Sequence, residues 1–458
     1  MKVSTSPRRG AWLGLLIGLP LAGAQAADTG QAASSVRAEW VKADVEALAG
    51  DALQGRGSAT ADEAKAADYV ASRFREFGLV PAPGMSGYLQ TATVVQPKLG
   101  KAPVLSVGGA EVKGAAFLLL PRQAVRGRLT LAPSADPSAF PQGEVVAVGA
   151  ADAPLFPTIM AAKARGAKLV LLRESDETKQ IRRRRGGAPS MSAYLEGGAE
   201  DMPAVVTLPA SAFVKLIAQA GREVVLALPG MVETRGTTTN AIGYLPGSDP
   251  AAGILLLSAH LDHLGRRPDG VIMHGANDDA SGVAAVIELA RALASGPRSR
   301  RGILFVCYGA EEMGGFGSSY FGAHPPVPLT RIAANIEFEM IGVQDPKLPR
   351  GSLMVTGYER SDLAETLSAH GALLAPDPYP EQHFFQRSDN YQLALRGVVA
   401  HTISGWPTTP VYHQASDTVA NLDIPFMTRA IQSLIEPVRW LASSDFQPEW
   451  KKGGRPER

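Results

Sequence analysis

The sequence predicts an α/β fold: a three-layer, doubly wound, mostly parallel sheet interrupted by a small β-rich domain. Three observations predict it. From Asn240 onward, short apolar runs alternate with helical patterns, as in a sheet covered on both faces. Between residues 115 and 235 the texture changes to short apolar runs separated by Pro/Gly turns. Imidazoles and carboxylates stand just past the apolar runs of the later region, where open α/β sheets bind their ligands.

The chain has 458 residues, enough for two or three domains, and a net charge of +1. That charge offers no footprint for nucleic acid or an anionic membrane as partner. The first residues read as a targeting segment, residues 1–26. Lys2, Arg8 and Arg9 precede an apolar run from Ala11 to Ala22, and Ala24-Gln25-Ala26 is a small-x-small cleavage site. The run is short for a membrane span. The expectation is an exported protein, periplasmic or extracellular, with no membrane attachment after cleavage. Cys307 is the single cysteine. It sits inside the apolar run GILFVCY, so it reads as an inert core residue, and no disulfide within the chain is possible.

Residues 36–114 are expected to form the first part of the main domain. Ala67, Val70, Phe74 and Phe77 recur on one face, which predicts a helix from Ala61 to Phe77, stopped by Gly78. The preceding LQGRGSAT, Leu53 to Thr60, is a polar, glycine-bearing loop. Residues 115–235 form the inserted β-rich domain, ending near VVLALPG. Its run Arg182 to Arg185 reads as a solvated loop. Residues 236–445 hold the second part of the main domain. Strands are expected at Ile254–Ala259, Ile303–Tyr308, Ile332–Glu337 and Gly397–Ile403, with the clearest helix from Ser281 to Ala294. Residues 446–458 are a polar tail.

Chemistry-bearing residues sit at the strand ends. LLLSAHLDH ends a strand at His260, with Asp262 two residues on. HGANDDASG holds Asp278 and Asp279 directly before a helix. CYGAEE ends a strand at Glu311 and Glu312, IEFEMIG ends one at Glu339, and VYHQASDT carries His413. Two histidines and several carboxylates suit borderline to hard divalent ions, with zinc the leading choice. So many converging carboxylates would not stay charged without cations. Five or more ligands imply two ions with a bridging carboxylate. No HExxH helix is present, which disfavours the single-zinc protease design.

At these motifs the chain resembles the co-catalytic di-zinc exopeptidases, which include bacterial leucyl-type aminopeptidases and glutamate carboxypeptidase, with the transferrin receptor as a non-enzymatic relative. AHLDHLG, GANDDASG, YGAEEMGGFGSSYF, EMIG, RSDN and YHQASDT carry the resemblance, and LQGRGSATADEAKAADYVASRFREFGL resembles the start of such domains. The inserted region resembles the protease-associated domain. The resemblance implies two Zn2+ per chain. It makes His260, Glu312, Glu339 and His413 terminal ligands, Asp278 the bridging ligand and Glu311 the general base. Asp262 would orient His260 through a hydrogen bond. Tyr412 is a candidate oxyanion donor, as the residue before this histidine is in some relatives, with ordinary packing the alternative, and the Asp278–Asp279 bond is a candidate cis peptide. Glu339 stands where the family usually has aspartate; its extra methylene should be absorbed by the backbone. Asn390 stands where the family often has histidine, at a position not expected to bind metal.

The implied activity is a secreted zinc aminopeptidase that releases N-terminal residues from peptides. A carboxypeptidase or a glutaminyl cyclase of the same fold is the near alternative, and an inactive receptor-like binding protein is the distant one. His263 and His274 flank the motifs and are not expected to be ligands. Glu337 lies one strand period from Glu339, out of the motif register. GGFG, Gly314 to Gly317, is expected to permit close packing beside the site rather than to bind phosphate.

Overall fold

The computed structural model describes residues 1–2, 35–134, 136, 140–150, 153–184, 190–198 and 202–457. The apolar run and cleavage motif expected near the N-terminus lie outside them, as does Arg185 of the arginine run. Among the described residues there are two nine-stranded sheets and a small two-stranded one.

The larger domain is built on β1 (Leu89–Lys98), β2 (Val232–Leu245), β3 (Ile254–His260), β4 (Gly302–Tyr308), β5 (Ile332–Glu339), β6 (Leu353–Val355), β7 (Leu374–Pro376) and β8 (Ala400–Ser404). Their order is β7-β6-β8-β5-β3-β4-β2-β1, extended by the two-residue strand Tyr194–Leu195. The centre is parallel: β3 pairs with β4 and β5, and β5 with β8. Antiparallel pairs flank it, β4 with β2, β2 with β1, and β8 with β6.

The central strands are apolar throughout because both faces are covered. In β3, Leu255, Leu257 and Ala259 enter one core while Ile254 and Leu256 enter the other. The first core receives α1 (Ala38–Leu48), α2 (Ala61–Glu76), α3 (Ser281–Ala294) and α6 (Ile424–Ser443). The second receives α4 (Phe316–Ala323) and α5 (Asn390–Ala394). Thr60 caps α2 by accepting from Asp62 N, and Asp423 caps α6 by accepting from Phe426 N. Cys307 is fully buried in β4, and burial pushes its thiol well above the usual range.

The strand ends differ slightly from the sequence expectation. β5 runs past the expected Ile332–Glu337 to Glu339, the strand end read from IEFEMIG. β8 begins at Ala400, because Gly397 takes φ +99 and closes the turn after α5 through its N–H to Ala394 O.

The second nine-stranded sheet draws all its strands from residues 104–227, and they enclose their own apolar clusters. The chain reaches it along β1 and returns along β2. These two pair antiparallel from Leu89↔Ala241 to Lys98↔Val232. Arg182 of the arginine run lies in the helix Asp176–Arg184 and pairs with Glu174 at 3.3 Å. The polar C-terminal segment packs back on the main domain: Trp450 bridges Ser361 along the backbone and donates from Nε1 to Gly397 O. Among the described residues no helix is long and apolar enough to cross a membrane.

Candidate metal centre

The site forms where β3, β4 and β5 end and where α3 begins. β3 delivers His260, and the chain continues through Leu261, Asp262 and His263. That loop is held from beneath by Arg56, which is completely buried. Its guanidinium donates to four main-chain carbonyls: Leu261 O at 2.8 Å, Leu48 O at 2.7 Å, His274 O at 2.8 Å and Gly275 O at 2.8 Å. Its own carbonyl accepts from His263 N.

The turn before α3 carries Asp278 and Asp279, and the peptide bond between them is cis. Asp417 accepts from Asn277 N at 2.8 Å and Asp278 N at 3.0 Å. Asp279 turns away from the cleft and accepts from Gly282 N and Met340 N. It thereby ties the start of α3 to the end of β5, and Asp278 is left facing the cleft.

After β4, the buried Glu63 accepts from Ala59 N, Thr239 N and Ala310 N. Asp262 accepts from Glu311 N at 3.0 Å, from Glu312 N at 3.3 Å and from Ser58 Oγ. The two glutamates that follow β4 are therefore fixed by their main chain, which frees both side chains for the cleft.

Asp278 stands at the centre. Its Oδ1 is 3.2 Å from His260 Nε2, and its Oδ2 is 3.2 Å from His413 Nε2. His413 Nε2 is also 3.1 Å from Glu312 Oε2. Two donor groups share Asp278: His260, Asp278 and Glu339 form one, and His263, Asp278 and Glu312 form the other. His413 adjoins the second.

The donor set fits divalent cations. His260 Nδ1 and Nε2, His263 Nδ1 and Nε2, Asp278 Oδ2 and Glu312 Oε1 are all buried without a hydrogen-bond partner. Each such atom costs about 1–3 kcal/mol unless something occupies it. The electrostatics agree. Burial holds Glu311, Glu339 and Asp279 above the usual carboxylate range, Glu63 at about 8 and Asp389 at about 7. Neighbouring acids raise all of them further.

His413 moves the other way from its burial, which alone would lower it; the Asp278 and Glu312 carboxylates against its Nε2 raise it to about 10. In protein stripped of metal it is therefore protonated at neutral pH, and a cation must displace that proton. Zinc added to the stripped protein in weak buffer at pH 7 is expected to release at least one proton per chain. A pH electrode checks it; pH-neutral loading would contradict the geometry.

The structure brings His260, Asp278, Glu312, Glu339, His413 and Glu311 to one cleft. Asp262 lies beneath it, but its Oδ1 is 3.7 Å from His260 Nδ1, outside hydrogen-bond range. Its carboxylate is engaged instead by the main chain of Glu311 and Glu312. Tyr412 stacks on His413, centroids 3.9 Å apart. Glu337 points into the layer between β5 and α5, where it accepts from Asn390 N and Thr402 Oγ1. His274 is tied to Ala49 O at 2.9 Å.

Sequence reasoning missed two supports. Glu63 was indistinguishable from any acid in the first turn of a helix. Arg56 lay in a loop read only as polar; the GRG context, which forces the backbone close to its neighbours, was the available signal. His263 was read as a bystander and instead stands inside a donor group.

Residues 240–437 match the profile of peptidase family M28. Over 405 residues the chain is 27% identical to the probable lipoprotein aminopeptidase LpqL of Mycobacterium tuberculosis, covering 78% of this chain and 74% of that protein. It is 29% identical over 209 residues to aminopeptidase YwaD of Bacillus subtilis, spanning 45% of this chain and 41% of that one. Among solved structures, an aminopeptidase from Aneurinibacillus sp. strain AM-1 superposes with a TM-score of 0.57 at 19% identity, covering 90% of this chain and 96% of that chain. The zinc aminopeptidase BSAP of Bacillus subtilis superposes with a TM-score of 0.51 at 21% identity, covering 92% and 98%. At these identities the superpositions establish the fold.

Proposed function

We propose that this chain, whose residues 240–437 match the profile of peptidase family M28, is a zinc-dependent aminopeptidase that hydrolyses the first peptide bond of its substrates. The observation that carries this reading is Asp278, which presents one oxygen to His260 and the other to His413, as a bridge between two cations requires. The named relatives and the zinc aminopeptidase among the solved structures support it.

Bound at these residues, zinc supplies Lewis acidity and a water of pKa about 7. His260, Asp278 and Glu339 would hold one ion; Asp278, Glu312 and His413 would hold the other. Glu311 belongs to neither donor group. It is half-buried beside both, and its main chain is pinned by Asp262. Glu311 takes the proton of the attacking water and returns it to the departing amine. Burial and the nearby Asp278, Glu312 and Glu339 push the Tyr412 phenol above its usual range. It therefore stays protonated and donates to the developing oxyanion. A cavity lined by Glu339, Met340, Met354, Phe384, Arg387 and Tyr412 adjoins the site and receives the side chain of the N-terminal residue.

Export rests on the basic and apolar N-terminal pattern with its Ala-Gln-Ala motif. The second sheet supports reading the inserted region as a protease-associated-like domain, one that begins by Val104 rather than at residue 115, since Val104–Val107 and Ala110–Glu111 already pair within it. A panel of aminoacyl and N-blocked substrates, with chelation and zinc add-back, tests the activity. Free-amine substrates are expected to be cleaved, and blocked ones spared. Chelation should abolish cleavage and zinc restore it. Cleavage of blocked peptides from the C-terminus would favour the carboxypeptidase reading, and one ion per chain the cyclase.

A further inference from the structure

We propose that Asn240 is a positioning residue for the loop that carries Glu311 and Glu312. It stands on β2 and belongs to neither donor group. This rests on the reading of Glu311 as general base and adds the residue that sets where its loop begins and ends.

Residues 309–317 leave the end of β4 and run into the start of α4. The two ends of the loop meet: Gly317 N donates to Gly309 O at 2.9 Å, and Phe316 N to Ala310 O at 3.0 Å. The Asn240 amide spans that closure. Its Oδ1 accepts from Gly309 N at 3.0 Å, and its Nδ2 donates to Gly317 O at 3.0 Å. A main-chain N–H can only donate and a carbonyl only accept, so the partners fix which way the amide faces. Nδ2 also donates to Gln90 Oε1 at 3.0 Å. Asn240 is buried, so water does not readily replace these bonds.

The sequence is arranged around this contact. A Cβ on Gly317 would stand 2.2 Å from Gly309 O and 2.4 Å from Asn240 Oδ1. One on Gly309 would stand 2.6 Å from both Glu63 Oε1 and Thr238 Oγ1. This is the close approach that the last glycine of GGFG permits. Ala310, inside the closure, takes φ +50, a left-handed conformation that an alanine keeps only where its surroundings impose it.

Gln90 and Asn240 are directly opposite one another in the β1–β2 pair. Gln90 also donates to His324 O, at the end of α4. Farther along β1, Gln96 Nε2 reaches Met313 Sδ at 3.3 Å, one residue past Glu312. The two strands that lead to and from the second sheet are thus bonded to the loop at its closure and at its middle residue. Asp262 holds the Glu311 and Glu312 amides. Asn240 holds the root from which they are presented. Without it the loop opens at that root, and Glu311 leaves the position from which it takes a proton.

Asn240→Leu, close to asparagine in size and without hydrogen bonds, tests this in the zinc-loaded full chain. On an aminoacyl substrate kcat is expected to fall by about 10²-fold, the cost of roughly 1 Å of misplacement. KM should stay within about 3-fold, as for a residue that does not bind substrate, with the metal content unchanged. Amide hydrogen exchange over residues 309–317 should quicken by about 10-fold or more, the equivalent of one buried hydrogen bond, while Ser281–Ala294 keeps its protection. Asn240→Asp keeps the shape and, when protonated, both bonds to the closure. Its kcat relative to wild type should therefore rise as pH falls, and it replaces the leucine variant if that one does not fold. Unchanged exchange over 309–317 overturns the proposal, and so does a folded, metal-loaded variant with the kcat of wild type. A wild type that cleaves no aminoacyl substrate overturns the aminopeptidase reading instead, and the exchange result then decides by itself whether Asn240 holds the loop.

Discussion

Glu311→Gln is expected to lower kcat by at least about 10²–10⁴-fold, the range that a positioned proton-transfer group contributes, while both ions remain bound. The side chain keeps its length, and the main-chain N–H of residue 311 still reaches Asp262 Oδ1, so geometry is preserved. Only the ability to accept a proton is lost. Glu311 is outside both donor groups, so metal content should not change. Steady-state kinetics on an aminoacyl substrate and metal analysis of the same sample provide the check. A variant that retains substantial turnover with full metal would remove Glu311 from the role of base, and one that loses an ion would recast it as a ligand.

Arg56→Ala is expected to destabilise the folded protein by about 3–5 kcal/mol, the range for removing one partner of a buried charged network. Four main-chain carbonyls lose their donor at once, and none lies where solvent can readily replace it. The buried acids Asp262, Asp278, Asp279 and Asp417 also lose a neighbouring positive charge. Chemical denaturation of the metal-loaded variant should show an earlier midpoint, and metal affinity should fall with it, since the loop after His260 and the turn before Asp278 share that support. Arg56→Lys should rescue little, because an ammonium cannot reproduce the planar fork. A midpoint within about 0.5 kcal/mol of wild type, the range of an inert surface change, would mean that the carbonyls find other partners.

Much of the fold was legible because β3, β4 and β5 are apolar on both faces, and few patterns other than a covered parallel strand read that way. The helix Ser281–Ala294 was legible to the residue, its apolar period unbroken. The antiparallel flank was not, since β1 lies far from β2 in sequence and pairs with it only after a long excursion. The residues that gather in the cleft were legible through their placement at strand ends. The supports were not: Glu63 and Arg56 act through main-chain groups, and a side chain that recognises carbonyls or amides leaves no spacing rule in the sequence. Asp262 shows the limit of motif transfer. Its position was foreseen, but its partners are the Glu311 and Glu312 amides rather than the imidazole two residues before it.

The ten-residue pairing of β1 with β2 bears on how such a chain tolerates change. Lys98 and Val232 are opposite one another, and Gly100 N reaches Gly230 O just beyond. Seen from the sheet that carries the site, residues 99–231 are a single hairpin connection of great length. Closing a connection costs only about 0.6 kcal/mol more for each doubling of its length. Lengthening, shortening or exchanging the parts of that excursion other than Tyr194–Leu195, which pairs with β1, therefore leaves the clasp of paired strands at its root unaltered, and diversification there can proceed without moving a residue of the cleft.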